Sequence, residues 1–316
     1  AESRRERRMI DALTTLLSSP MMQRSLLAAL IVGLTAPIIG TYLVHRRLAM
    51  LGDGIGHISL TGVALGWLVG TFANVSPADS WAIPGAVIIS LLGAITIELV
   101  RQSGRTSGDT ALAMLFYGGI AGGVLLIGLA GGTSAQLNSY LFGSISTVRW
   151  SDITLITILG IAIVALGVGL APALFSVTND EDFARSTGLP VRTLSLLIAV
   201  LSALTVAVAM RVVGSLLVSA LMVIPVAIAQ LGARSFRSTM GIAMALGVVI
   251  CTAGLSLTYF VDLSPGATIV VGAIALYAIG FGIRAIVDRT RRVRRIRAAR
   301  SHNQHPEHDQ TAHSNA

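Results

Sequence analysis

Runs of twenty or so apolar residues follow one another along almost the whole chain, each separated from the next by a short polar or basic segment. A helix of about 20 residues is what crosses a hydrocarbon layer roughly 30 Å thick, so repetition at this length points to a chain dissolved in a bilayer. Candidate spans lie near 25–44, 50–70, 81–100, 109–130, 152–174, 192–212, 214–232, 239–260 and 266–287. Only 12% of the 316 residues are charged and 53% are hydrophobic, against roughly a quarter charged in an ordinary soluble chain. The expected fold class is all-α, a polytopic membrane helix bundle of about eight or nine transmembrane helices, with abundant Gly and Ala for close helix packing.

The charges fall between the runs. Arg46 and Arg47, Arg101 and Arg105, Arg185 and Arg192, and Arg234 and Arg237 mark four connections as cytoplasmic, and the segments near 71–80, 131–140 and 261–265, free of basic residues, as external. This alternation places the C-terminus in the cytoplasm of a multi-pass plasma membrane protein. Counting back through nine spans puts the N-terminus outside, against the preference of Arg4, Arg5, Arg7 and Arg8. Either residues 9–23 form a surface amphipathic helix or the count is one too many. Three regions result: a basic and amphipathic segment at 1–24, a transmembrane domain at 25–288, and a tail at 289–316.

The net charge of +8 does not indicate nucleic acid. Eight arginines lie from Arg284 to Arg300, directly after an apolar run, where they meet anionic headgroups. Residues 301–316 are polar and aperiodic, the pattern of a disordered tail; its His302, His305, His308 and His313 invite weak metal binding, but an ordinary polar tail has the same composition. The single Cys251 lies in an apolar run and reads as packing. No cleavable signal pattern is read, because the first apolar run leads to His45-Arg46-Arg47 and further spans. All basic residues counted with lysine are arginine, so the chain has no Walker A loop and any ATP hydrolysis belongs to a separate subunit.

Ionisable residues within a span are functional candidates by default. Asp53 and His57 share one helical face at i, i+4, where carboxylate and imidazole suit one cation between them. A structural Asp–His hydrogen bond sealing the helix entrance is the alternative. Thr61 and Ala64 continue that face, and Gly52, Gly54, Gly56, Gly62 and Gly66 thin the helix. Glu98 and Arg211, near span ends, are expected to snorkel to the interface. The charged insert at 176–190 reads as a short cytoplasmic helix suited to docking, or as a solvated loop, with Asp180 and Ala184 at helical spacing, Gly188 as a C-cap and Pro190 as a stop.

Six segments in order carry a family resemblance: LGDGIGHISLTGVALG, SGDTALAML, LNSYLFGSI, NDEDFARSTGLPV, MRVVGSLLVSALMVIPVAIAQ and DLSPGATIVV. Together they resemble the membrane permeases of ABC importers for zinc, manganese or iron, from about residue 20 to 287. Gly54, Gly56 and Thr61 replace the commoner Ala, Ser and Pro, which bears on helix flexibility near the ion, and the GDGIGH variant resembles permeases assigned to zinc. The resemblance implies the architecture of type II ABC importers. It implies two copies pairing around a pathway, with Asp53 and His57 of each meeting the transported zinc or manganese. A cytoplasmic ATP-binding subunit would dock through Asp180, Phe183, Ala184, Gly188 and Pro190, and an extracellular metal-binding protein would deliver the ion. Such a chain is not itself an enzyme and holds no permanently bound cofactor. The other readings are a siderophore or cobalamin permease, a secondary transporter, which would show charged relays in several spans, and an intramembrane protease, whose HExxH motif is missing.

Overall fold

A computed structural model of the chain describes residues 18–75, 78–104, 108–144, 148–261 and 263–302. Most of the amphipathic segment read at 9–23, and His305, His308 and His313 of the tail, lie outside them. The described residues form twelve α-helices and a short 3-10 turn. The first four helices are α1 (Pro20–His45), α2 (Ala49–Phe72), α3 (Ala82–Ser103) and α4 (Gly108–Leu129). A short α5 (Ser134–Phe142) precedes α6 (Trp150–Gly169), α7 (Ala171–Asn179) and α8 (Glu181–Ser186). The remainder are α9 (Val191–Val213), α10 (Val218–Gln230), α11 (Phe236–Phe260) and α12 (Pro265–His302). Eight of these, all but α5, α7, α8 and α10, are long and apolar enough to cross a membrane.

Local chemistry explains most boundaries. Pro20 opens α1, its fixed φ and missing N–H being harmless in a first turn, so this helix starts five residues before the expected span. Thr133 and Gln136 cap α5 reciprocally. The apolar run expected as one span at 152–174 is two helices, because α6 ends at Leu170 and Pro172 starts α7. The last helix continues through the arginine cluster to His302, since nothing after Gly282 breaks it.

The span expected at 214–232 is corrected. Gly214 lies at φ +87°, a left-handed conformation that glycine adopts without strain, and the chain stays non-helical to Leu217. Only Val218–Gln230 is helical, 13 residues or about 20 Å long. Irregular backbone is tolerated at membrane depth when protein satisfies its polar groups. Here α5 does so: the Ser215 N–H donates to the Tyr140 carbonyl (2.9 Å) and the Leu216 N–H to that of Leu141 (3.2 Å).

The helices α1 and α9 are the most enclosed, and α4 and α12 lie at the periphery. Lipid tails are as apolar as leucine, so close backbone contact takes over the role that water exclusion plays in soluble cores. On α2, Gly62 faces Gly85 of α3; on α1, Gly33 faces Gly247 of α11 so closely that any side chain at either position would meet the opposite carbonyl. Gly247→Leu is therefore expected to lower the melting temperature of the detergent-solubilised protein clearly. Gly282→Ala, with nothing within 4 Å of the added methyl, should leave it unchanged. Equal effects in thermal unfolding would discard the close α1–α11 crossing.

Candidate functional site

Asp53 and His57 are the fifth and ninth residues of α2, in its second and third turns, where glycines let neighbouring segments press against its backbone. Gly56 sits against the Ser215 carbonyl and Gly119 of α4 against the His57–Ile58 backbone. Thr61 Oγ1 donates to the Gly119 carbonyl at 2.7 Å. The departures at Gly56 and Thr61 thus serve packing of α2 on its neighbours, rather than loosening it.

His57 is buried and meets the Phe116 ring edge-to-face at 4.1 Å. Its Nε2 lies 3.8 Å from Asp53 Oδ1, too far for a hydrogen bond, so the sealing Asp–His bond is not formed. Metal–ligand bonds of about 2.0–2.2 Å to each atom would bridge that gap. His57 Nδ1 has no hydrogen-bond partner among the described residues, an unusual state for a buried ring nitrogen. From the opposite side, Ser219 of α10 donates its hydroxyl to Asp53 Oδ1 at 3.0 Å. Ser219 was not foreseen; its only sequence signal is a small polar residue just after the Gly214 break.

A cleft of about 470 Å³ opens beside the pair, lined by Met50, Asp53, Leu112, Ala113, Phe116 and Tyr117. Asp53 is the partly exposed member, its side chain 25% accessible. Among the described residues no three His, Cys, Asp or Glu side chains gather closely enough to hold a metal ion. One chain therefore offers two strong donors, half of a tetrahedral set.

The connection after α7 folds as a short capped helix rather than a solvated loop. Asp180 accepts from the N–H groups of Asp182 (3.0 Å) and Phe183 (2.9 Å) and so caps α8. Ala184 is fully buried, while Phe183 projects outward with 61% of its surface exposed. Gly188 ends the segment at φ +81°, and Pro190 stands at the N-cap of α9.

Ion pairs surround this element. Glu181 accepts from Arg46, at the end of α1, and lies 3.4 Å from Arg101 of α3. Burial first, and then Arg101, presses the Arg46 pKa below the ordinary arginine value, while Glu181 and Glu98 pull it back up. Glu98 and Arg211, expected to snorkel, are both buried and paired. Glu98 accepts two bonds of 2.9 Å from Arg101 and one of 2.8 Å from Gln102. Arg211 Nε lies 3.5 Å from Asp152 Oδ2, and its guanidinium sits 5.4 Å above the Tyr140 ring. Helices converge on both residues closely enough to exclude the interface, so a partner in the protein takes its place.

A bundle of eight membrane-length helices with an ionisable Asp–His pair on one of them is the architecture of a polytopic membrane protein. The chain belongs to the ABC 3 transport family, whose family model matches residues 18–284. It is similar to the manganese transport system membrane protein MntC of Halalkalibacterium halodurans, 32% identical over 84% of this chain and 88% of that protein. It also resembles the high-affinity zinc uptake system membrane protein ZnuB of Haemophilus influenzae, 28% identical over 81% of this chain and 94% of that one. Among solved structures, PsaBC from Streptococcus pneumoniae in complex with Fab matches with a TM-score of 0.76 at 30% identity. That match covers 86% of this chain and 95% of the other.

The buried Arg211–Asp152 pair yields a direct test. Arg211→Leu strands a carboxylate, and removing one member of such a pair costs about 3–5 kcal/mol. The variant is expected to lose most of its monodisperse yield in detergent. Adding Asp152→Asn, which keeps the acceptor for the Arg149 N–H (3.1 Å), should recover most of it. No recovery would mean that Arg211 acts through packing rather than charge.

Proposed function

We propose that this chain is the membrane-spanning permease of an ATP-driven importer that carries a divalent metal ion, zinc or manganese, across the plasma membrane. The observation that carries the reading is the Asp53–His57 pair, its atoms 3.8 Å apart, with Asp53 in the wall of a cleft and His57 buried beside it. Carboxylate oxygen suits manganese and zinc, and imidazole nitrogen suits zinc and accepts manganese. The names of the relatives point to the same two ions.

Two donors bind a divalent ion too weakly to strip its water, so a second copy of the chain supplies two more. The face of α4 beside the cleft supports this pairing: Met114, Tyr117 and Leu125 are exposed there together with Met50 of α2. Around the resulting two-fold axis, two Asp53 and two His57 side chains make a four-ligand site. A conducting site must replace hydration and still release its ion. No bond is made or broken by these residues; they bind, orient and let go.

The ATP-binding subunit docks from the cytoplasm on α8, with Phe183 as its apolar anchor and Asp180, Ala184, Gly188 and Pro190 holding the helix in place. An external metal-binding protein delivers the ion to the opposite end. The arginine-rich end of α12 keeps the C-terminus in the cytoplasm.

The test is uptake of radiolabelled zinc and manganese by cells carrying the complete transporter. Asp53→Ala and His57→Ala are each expected to lower uptake of the carried ion at least about tenfold, the loss that even an outer-shell change inflicts on a metal site, with the complex still assembled. Undiminished uptake in both variants would reduce the pair to packing and favour a chelate as cargo. Separately, Phe183→Ala should weaken co-purification of the ATP-binding subunit without disturbing the folded permease. Full retention of that subunit would move the docking surface elsewhere.

A further inference from the structure

The link between α1 and α2 is only three residues long and tightly tied. Arg47 adopts φ +59°, a left-handed conformation uncommon for a residue with a side chain. Its N–H donates to the Val44 carbonyl at 3.1 Å, that of Leu48 to Leu43 at 2.8 Å, and that of Leu51 to Leu48 at 2.9 Å. A link bonded at both ends cannot absorb a displacement of Arg46 by flexing. Asp53 follows the first residue of α2, Ala49, by four residues, about 6 Å along the helix axis.

Arg46 is also the residue that α8 grips. Its side chain is 5% exposed and its guanidinium serves both Glu181 of α8 and Ser195 Oγ of α9, the latter at 2.9 Å. Through Glu181 the same cluster reaches Arg101 and then Glu98 on α3. Glu98 and Arg101 line a cavity of about 110 Å³ together with Arg47, Leu48, Met50, Leu51, Ile97 and Leu112. Met50 and Leu112 are walls of the Asp53 cleft as well. The ion cluster is therefore linked to the candidate ion cleft through the shared walls Met50 and Leu112, and to α8 through Glu181.

We propose that Glu181 is a positioning residue for transport: its pairs with Arg46 and Arg101 join α8 to the link that opens the Asp53–His57 helix, so a shift of α8 moves the ion ligands. The inference rests on the permease reading above and assigns the connection through which that reading works. Coupling between distant sites needs a contiguous physical element that both can bias, and here it is a partly buried charge cluster rather than the backbone path through Gly188 and Pro190. No residue in the cluster touches the ion; each acts by fixing where α2 and α3 sit relative to α8.

The experiment reconstitutes the full transporter, with its ATP-binding subunit and external binding protein, in liposomes. Radiolabelled zinc or manganese uptake and ATP hydrolysis are measured in the same vesicles, giving ions moved per ATP. Glu181→Gln keeps size and removes charge; it is expected to retain the ATP-binding subunit and continue hydrolysis while ions per ATP fall by about tenfold or more. Arg46→Gln should give the same loss, and the double variant should be no worse than either single one, because residues acting through one contact are not additive. An unchanged ratio in Glu181→Gln overturns the proposal and leaves coupling to the backbone path. A complex that falls apart in Glu181→Gln, yet regains assembly and a normal ratio in the double variant, also overturns it, by showing a purely structural pair. If the unaltered transporter moves neither ion, the permease reading fails first, an outcome distinct from both.

Discussion

The hydrocarbon interior offers no hydrogen bonds, and the rest of this structure follows from that deficit. Every polar group placed at membrane depth needs a partner supplied by the protein. Eight long helices satisfy their backbones internally, and the non-helical stretch Gly214–Leu217 is covered by α5. A nine-residue helix that spans nothing would have no reason to exist without that break. Side chains obey the same rule: Glu98 is enclosed by Arg101 and Gln102, and Asp152 faces Arg211.

A few buried polar atoms lack a hydrogen-bond partner among the described residues, Ser90 Oγ, Ser215 Oγ and Arg211 Nε with His57 Nδ1, and of these His57 lies beside the cleft. Its Nδ1 is buried and unpaired, and its Nε2 faces Asp53 across a gap too wide for a hydrogen bond. Elsewhere buried charge finds close company; here polar atoms are held apart beside a cleft. Ser219 adds to this, because its hydroxyl donates to Asp53 Oδ1 and restrains the carboxylate.

Much of this was legible in the sequence because it is written locally. Membrane-length apolar runs, the i, i+4 spacing of Asp53 and His57, and the Asp180-to-Pro190 punctuation all lie within a few residues of one another, so helix periodicity and capping chemistry suffice to read them. What escaped depends on distance along the chain. Ser219 meets Asp53 across 166 positions, and Arg46 meets Glu181 across 135. Snorkelling was the reasonable expectation for Glu98 and Arg211 because depth in a bundle is not encoded near either residue. The shortness of the helix after Val213 was hidden for another reason: a run rich in Leu, Val and Ile at 214–232 reads as a full span, and its first residues stay non-helical because α5 is there to bond the amides of Ser215 and Leu216.

The half-set of ligands bears on how an importer can release what it binds. A complete four-ligand cage within one rigid chain would hold a divalent ion tightly, and loosening it would require unfolding part of the cage. With two donors per chain, the strength of the proposed site depends on how closely two copies bring their α2 helices together. Small rigid-body movements then carry the site from four ligands to two without disturbing any helix. That arrangement would place control of the proposed site's affinity where α2 begins, at the three-residue link and the charge cluster of Arg46, Glu181 and Arg101 beside it.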